Sequence, residues 1–291
     1  MHPLIKSLIE NGPVVTDGSW GTQMQKRGLK RGECPDSWNL SHPERVLEVA
    51  QQYVDAGSRI ILTNTFGGSR PALKKYKLGE KAVEINTAGV ELSKKAARDR
   101  ACVFASIGPT GLMLVTRETT EEELQGAFEE QAAAQARAGA DGIIIETMID
   151  VVEARIAATA AKQTGLPVIV SMVYDSGENN DRTMMGNSPE DVLAELTNTG
   201  IDGIGANCGQ GIDAFLPICT RLRQATDLPI WIKPNAGLPE IVDDQTVFRT
   251  NAREFVQYIP GLITAGANFI GGCCGTDQKF IESICETVDK L

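Results

Sequence analysis

With 291 residues, 42% of them apolar, the chain is long enough for one large domain or two ordinary ones built on a sizeable core. A formal charge of −10 spread along the sequence argues against nucleic acid as a partner, because phosphate binding needs a basic face. No apolar run is long enough to cross a bilayer, and seven cysteines without an export signal fit reduced thiols in a cytoplasmic setting.

The opening "MHPLIKSLIENG" reads as a short amphipathic helix that lacks the apolar centre of a signal peptide. Eight apolar or β-branched runs then follow. They are "VVTDG" (14–18), "IILTNTF" (60–66), "CVFASIGP" (102–109), "GIIIETM" (142–148), "PVIVSMVY" (167–174), "GIGANC" (203–208), "PIWIKPNAG" (229–237) and "FIGGCCG" (269–275). Unbroken apolar character is what strands of a parallel sheet covered on both faces require.

Helical stretches lie between them, such as "EEELQGAFEEQAAAQARAG", with acids at its start and arginine near its end, and "DVVEARIAATAAKQTG". Four helices hand over to the next strand through the phrases "YVDAGSRI", "ARAGADGI", "TNTGIDGI" and "ITAGANFI", where glycine permits a left-handed stop. This rhythm predicts an α/β chain folded as a single (β/α)8 TIM barrel over 1–291, with an open doubly wound sheet as the alternative. The polar stretch 175–191 reads as a loop over the barrel mouth, since no linker divides the chain.

Functional groups of such a barrel gather at the C-terminal ends of the strands. Cys208 ends the sixth run, and Cys273 and Cys274 end the eighth, so the three thiols can face one another across the mouth. Cys34, Cys102, Cys219 and Cys285 have settings that suit inert thiols. With only His2 and His42 in the chain, histidine-rich sites are excluded, and His42 in "NLSHPERV" sits where a helix is about to start. Three converging thiolates suit Zn²⁺ with a place left for water or substrate, which is the catalytic pattern. A strained disulfide between Cys273 and Cys274, or three unlinked buried thiols, are the alternatives at this point.

"GANC" followed by "IGGCCGT" resembles the zinc signature of the homocysteine S-methyltransferase family. "TDGSWGTQMQKRG" resembles that family's opening strand and turn, and "ILTNTFGGSR", "ASIGPTG", "IIIETMIDVVEA" and "IKPNAGLP" follow in the family's order and, with "GGCCGT", look closest to the N-terminal homocysteine-binding barrel of cobalamin-dependent methionine synthase. Trp20 occupies a position where methionine synthases more often carry methionine.

The resemblance implies one Zn²⁺ per chain on Cys208, Cys273 and Cys274, and methyl transfer to the sulfur of L-homocysteine to form methionine. A thiol is mostly protonated near neutral pH, whereas a metal-bound thiol is deprotonated and nucleophilic. By the same resemblance Asp17 and Glu146, at the ends of the first and fourth runs, are expected to hold the substrate ammonium, with backbone N–H groups for its carboxylate. Asn235 is expected to support the metal, as an oxygen ligand before substrate arrives, and Asn64 and Ser106 to line the pocket.

No folate-binding or cobalamin-binding module is expected within residues 1–291, which hold no "Asp-x-His-x-x-Gly" stretch, so the donor is expected from outside the barrel as a methylated corrinoid (methylcobalamin-carrying) protein or module. S-Methylmethionine or betaine is the alternative donor, for which Trp20, Trp38, Tyr76 and Tyr174 are the aromatic candidates. A different thiol acceptor, or a non-catalytic zinc- or thiol-binding regulatory role, are the remaining readings.

Overall fold

The computed structural model describes residues 1–242 and 245–291. Eight strands form one parallel sheet: β1 (Val14–Val15), β2 (Ile60–Leu62), β3 (Cys102–Ile107), β4 (Gly142–Met148), β5 (Val168–Met172), β6 (Gly203–Gly211), β7 (Ile230–Asn235) and β8 (Ala267–Ile270). They neighbour one another in chain order, β8 pairs with β1, and a parallel bridge between Thr16 and Ile60 joins β1 to β2. The sheet is a barrel, as the eight apolar runs predict.

The helices pack outside it. Glu121–Arg137 begins with a capping box in which Thr120 and Glu123 each satisfy the other's backbone N–H, and Val151–Lys162 is capped by the Asp150 carboxylate. The four handover glycines, Gly57, Gly139, Gly200 and Gly266, all have positive φ, so the helix stops form as the sequence implies. The helix Pro3–Ile9 places Ile5 and Leu8 against the bottom of the barrel.

The barrel interior is layered. Val14, Ile60, Phe104, Ile144, Ile169, Trp231 and Phe269 form an apolar plug, with Trp231 near-parallel to Phe104 at 6.4 Å and tilted against Phe269 at 5.5 Å. Alternate strand residues share one face, so the position two residues further on also points inward. On β3, β4, β5 and β7 that step leads from Phe104 to Ser106, Ile144 to Glu146, Ile169 to Ser171 and Trp231 to Lys233, all buried. A polar layer therefore sits directly on the plug, towards the mouth.

Two features depart from the expectation. Strand β8 begins earlier and ends at Ile270, so Cys273 and Cys274 lie in the loop beyond it and not on the strand itself. Strand β1 crowds that point: a Cβ on Gly271 would stand 2.1 Å from Thr16 Oγ1, and the Gly272 N–H donates to the Asp17 carbonyl. After β7, an antiparallel ribbon of Glu240–Val242 and Gln245–Val247 rises from the same rim. In the polar stretch 175–191, Ser176 bridges Arg182, and the next helix starts at Pro189.

Candidate metal and substrate site

The sulfurs of Cys208, Cys273 and Cys274 lie within 4.8 Å of one another, with Cys208 and Cys274 3.9 Å apart. A tetrahedral zinc with sulfur at about 2.3 Å has a sulfur–sulfur edge of about 3.8 Å, so the donor set fits the ion in number, chemistry and span. Hydrogen bonds from Cys273 and Cys274 hold the Cys208 thiol well below the ordinary range, and their bonds to Cys208 push Cys273 up and Cys274 up to about 12.

The site is held by backbone that other residues must fix. Cys208 has φ 63° and Thr147, at the end of β4, has φ 61°, conformations that cost roughly 1–3 kcal/mol in a non-glycine residue. Asn207, fully buried, lies between them. Its Oδ1 accepts from Thr147 N (2.9 Å) and Ser171 Oγ (2.6 Å), and its Nδ2 donates to Thr147 Oγ1 (2.7 Å) and faces Cys273 Sγ at 3.9 Å. Across the mouth Cys273 N donates to the Pro234 carbonyl at 2.7 Å, and Cys274 N to Asn235 Oδ1 at 3.0 Å. Asn235 thus shapes the cysteine loop from β7, between the two cysteine-bearing segments.

Below the sulfurs, Glu146 accepts a 2.6 Å hydrogen bond from Ser106 Oγ. Burial raises its carboxyl, while Lys233 and Ser106 pull the other way. Asp17 is fully buried and engaged three times: Oδ2 accepts from Trp20 Nε1 and Leu62 N, each at 2.7 Å, and Oδ1 from Lys233 Nζ at 2.5 Å. Burial works against the Lys233 ammonium, but Asp17 and Glu146 outweigh it and leave its pKa above the usual value.

These groups border a cavity of about 460 Å³, on whose wall the three cysteines, Glu146 and Lys233 meet Trp20, Phe66 and Tyr76. Asn64 and Ser106 line it as expected, with the Asn64 amide donating to Pro35 O and Asn39 Oδ1. Asp17 stands behind the wall. Of the four candidate aromatics, Trp20 and Tyr76 reach the cavity, whereas Trp38 packs on His42 and Tyr174 is buried elsewhere.

Lys233, Asn207 and Asp36 are functional candidates that the sequence reading passed over. Asp36 lines the outer cavity, accepts from Gly67 N at 2.9 Å, and is pushed up to about 7 by burial. For Lys233 a signal existed: in "PIWIKPNAG" the period-2 face that carries Trp231 and Asn235 also carries the lysine. No helix among the described residues is long and apolar enough to cross a membrane.

A closed barrel gathers three thiols, a group that could hold a metal ion, above a buried acid and a buried lysine on the wall of one cavity. The chain belongs to the homocysteine S-methyltransferase family, whose model matches residues 14–288. It is 26% identical over 296 residues to methionine synthase of Mycobacterium leprae (strain TN), covering 94% of this chain and 24% of that protein. It is 24% identical over 297 residues to methionine synthase of Mycobacterium tuberculosis (strain ATCC 25618 / H37Rv), covering 96% and 25%. The chain therefore spans about a quarter of these relatives. The barrel also superposes on the homocysteine methyltransferase MmuM from Escherichia coli in its oxidized form, with a TM-score of 0.83 at 21% identity over 98% of this chain and 99% of the other. For the metallated form the TM-score is 0.81 at 22% identity, over 96% and 98%. That likeness shows the fold.

Proposed function

We propose that this barrel is a zinc-dependent S-methyltransferase that moves a methyl group from an external donor to the sulfur of L-homocysteine, forming methionine. The observation that carries this reading is the convergence of three cysteine sulfurs within 4.8 Å on the wall of a cavity that also presents Glu146. Cys208, Cys273 and Cys274 would hold the ion. Zinc bound there supplies a coordination place at which a substrate thiol is kept as thiolate near neutral pH.

The chain's own residues do the rest. Glu146, fixed by Ser106, faces the cavity as the partner for the substrate ammonium. Asn207 and Asn235 hold the two cysteine segments at their separation. The sulfur–carbon bond forms as the donor–methyl bond breaks, and the donor keeps that bonding pair.

A methylated corrinoid protein is the donor this reading favours, supported by the likeness to methionine synthases. The mouth is suited to a large partner: Phe66, Met113, Val115, Met184, Leu238 and Ile241 are exposed on the loops that follow β2, β3, β5 and β7. A small onium donor is the second reading, favoured by Trp20 and Tyr76 on the cavity wall with the buried carboxylate of Asp36. Turnover with S-methylmethionine or betaine alone would establish that reading and remove the corrinoid one.

Zinc-edge X-ray absorption on the purified protein tests the acceptor. A shell of three sulfurs that gains a fourth on addition of L-homocysteine is the expected result. A three-sulfur shell indifferent to homocysteine refutes that acceptor, and zinc bound without sulfur refutes the site.

A further inference from the structure

We propose that Lys233 binds the carboxylate of the thiol acceptor, so that the cavity selects thiols carrying a carboxylate on the carbon skeleton beside the sulfur. This inference rests on the reading of the cavity as an acceptor site and names the group that anchors the acceptor's acidic end.

Lys233 lies on β7 in register with Asn207 on β6, and its side chain is 3% exposed. An ammonium has three N–H donors. One is bound to Asp17 Oδ1 at 2.5 Å, and Asp17 is the only hydrogen-bond partner of Lys233 Nζ among the described residues. The Trp231 ring lies 5.8 Å from the nitrogen, in the apolar plug on which the polar layer rests. Lys233 is on the cavity wall with Glu146 and the three cysteines. Its two other donors therefore serve the space that the acceptor enters.

Asp17 has a different task. Its carboxylate accepts from Trp20, Leu62 and Lys233, is fully buried, and stays behind the wall. It is a positioning residue that fixes the lysine and offsets its charge. With Asp17 engaged in this way, the polar layer presents the cavity with one acid, Glu146, and one base, Lys233, while the other charged lining groups, Asp36 and Lys75, stand outside that layer and bond the Gly67 N–H and the Thr110 carbonyl. A zwitterionic amino-acid thiol matches that pair end for end, ammonium to Glu146 and carboxylate to Lys233. Both anchors lie below the sulfurs, which leaves the acceptor's thiol pointing up to the cysteines.

A buried donor left without an acceptor is penalised, and a hydrogen bond to a charged group is among the stronger ones. A thiol lacking the carboxylate should therefore bind about 10- to 100-fold more weakly. The test uses the zinc-loaded protein and calorimetric binding of L-homocysteine and of 3-aminopropane-1-thiol, its analogue without the carboxylate. Lys233→Met alone strands the Asp17 carboxylate, so the double variant Asp17→Asn/Lys233→Met, which removes both charges, is measured beside it. Lys233→Arg is the conservative variant.

The expected result is that wild type prefers homocysteine by about 10- to 100-fold, that the double variant binds both thiols alike at the level of the analogue, and that Lys233→Arg retains part of the preference. A double variant that folds, binds zinc and keeps the full preference overturns the assignment. Failure of wild type to bind homocysteine, together with Lys233-dependent binding of 4-sulfanylbutanoate, would instead overturn the homocysteine reading and support the carboxylate anchor.

Discussion

Replacing Cys208 with alanine isolates the metal centre from the rest of the fold. Alanine keeps the Cβ and accepts the same φ of 63°, so the strain and the Asn207 network persist while one sulfur is lost. The Cys208–Cys274 separation of 3.9 Å is already close to the edge of a zinc–sulfur tetrahedron, about 3.8 Å, so little rearrangement dilutes the contribution of each thiolate. Four-ligand zinc sites in peptides bind with about 10–16 kcal/mol, which puts one ligand at about 2.5–4 kcal/mol, or about 10²- to 10³-fold in affinity. Competition against a chromophoric zinc chelator at fixed pH reads this directly. Cys285→Ala is the control, because that thiol sits beside Gly57 and donates to the Ala56 carbonyl at 3.5 Å, at the opposite end of the barrel. Cys208→Ala with wild-type zinc affinity would refute the three-sulfur site, and with it the proposed chemistry.

Asn207→Ala removes the bonds that hold Thr147 in left-handed backbone and the Nδ2 group that faces Cys273 Sγ, beside the strained backbone of Cys208. It should weaken zinc binding by about 10- to 100-fold, in the manner of an outer-shell partner, by the same chelator assay; an unchanged affinity would show that Cys208 is positioned without it. The raised carboxyl of Asp36 binds its proton more tightly in the folded state than in the unfolded one. Stability from this group is therefore present at low pH and lost as pH climbs from 3.8 through about 7, by up to about 4 kcal/mol at 1.36 kcal/mol per pH unit. Denaturant melts at pH 5 and pH 8 should show the loss in wild type and not in Asp36→Asn, and equal slopes in the two proteins would count against it. Trp231→Ala should destabilise by about 3–5 kcal/mol, since it opens a void between Phe104 and Phe269. Trp231→Phe should cost far less, because Trp231 Nε1 has no hydrogen-bond partner to lose. Chemical denaturation of the two variants measures the difference.

The barrel was legible because its strands are buried on both faces and spell themselves out as unbroken apolar runs, and because the helix stops are glycines. The cysteines were legible because a strand end is where such a barrel keeps its chemistry. Their true setting was not: the run "FIGGCCG" continues past the strand, and only the close approach of Thr16 and Asp17 to Gly271 and Gly272 shows where β8 has to stop. Asn207 and Lys233 were hidden for a related reason. Each acts on residues far away in sequence, Asn207 on Thr147 and Cys273, Lys233 on Asp17, and no local pattern announces which strand ends meet. Trp38 and Tyr174 show the converse, aromatics whose composition suited a cage and whose side chains pack elsewhere. The ribbon after β7 is a pair of three-residue strands, too short for alternation to stand out.

The layering of the barrel also sets the length of the acceptor. Glu146 and Lys233 occupy the layer above the plug, while Asn235, two residues beyond Lys233 on β7, fixes the Cys274 N–H at the level of the cysteine loop. Cys208 stands one residue beyond Asn207, the β6 partner of Lys233, so its backbone lies about 3.3 Å nearer the mouth. An amino acid anchored at both polar ends in the lower layer has to span that rise with its side chain to bring sulfur among the cysteines. Homocysteine has two methylenes for the purpose and cysteine has one, with identical charged ends. Cysteine should therefore engage Glu146 and Lys233 yet leave its thiol short of the metal. In zinc-edge absorption it should bind without adding a fourth sulfur, where homocysteine adds one. If cysteine completed the shell as homocysteine does, the two layers would not be acting as a ruler, and the anchors would have to lie nearer the mouth than the strand register places them.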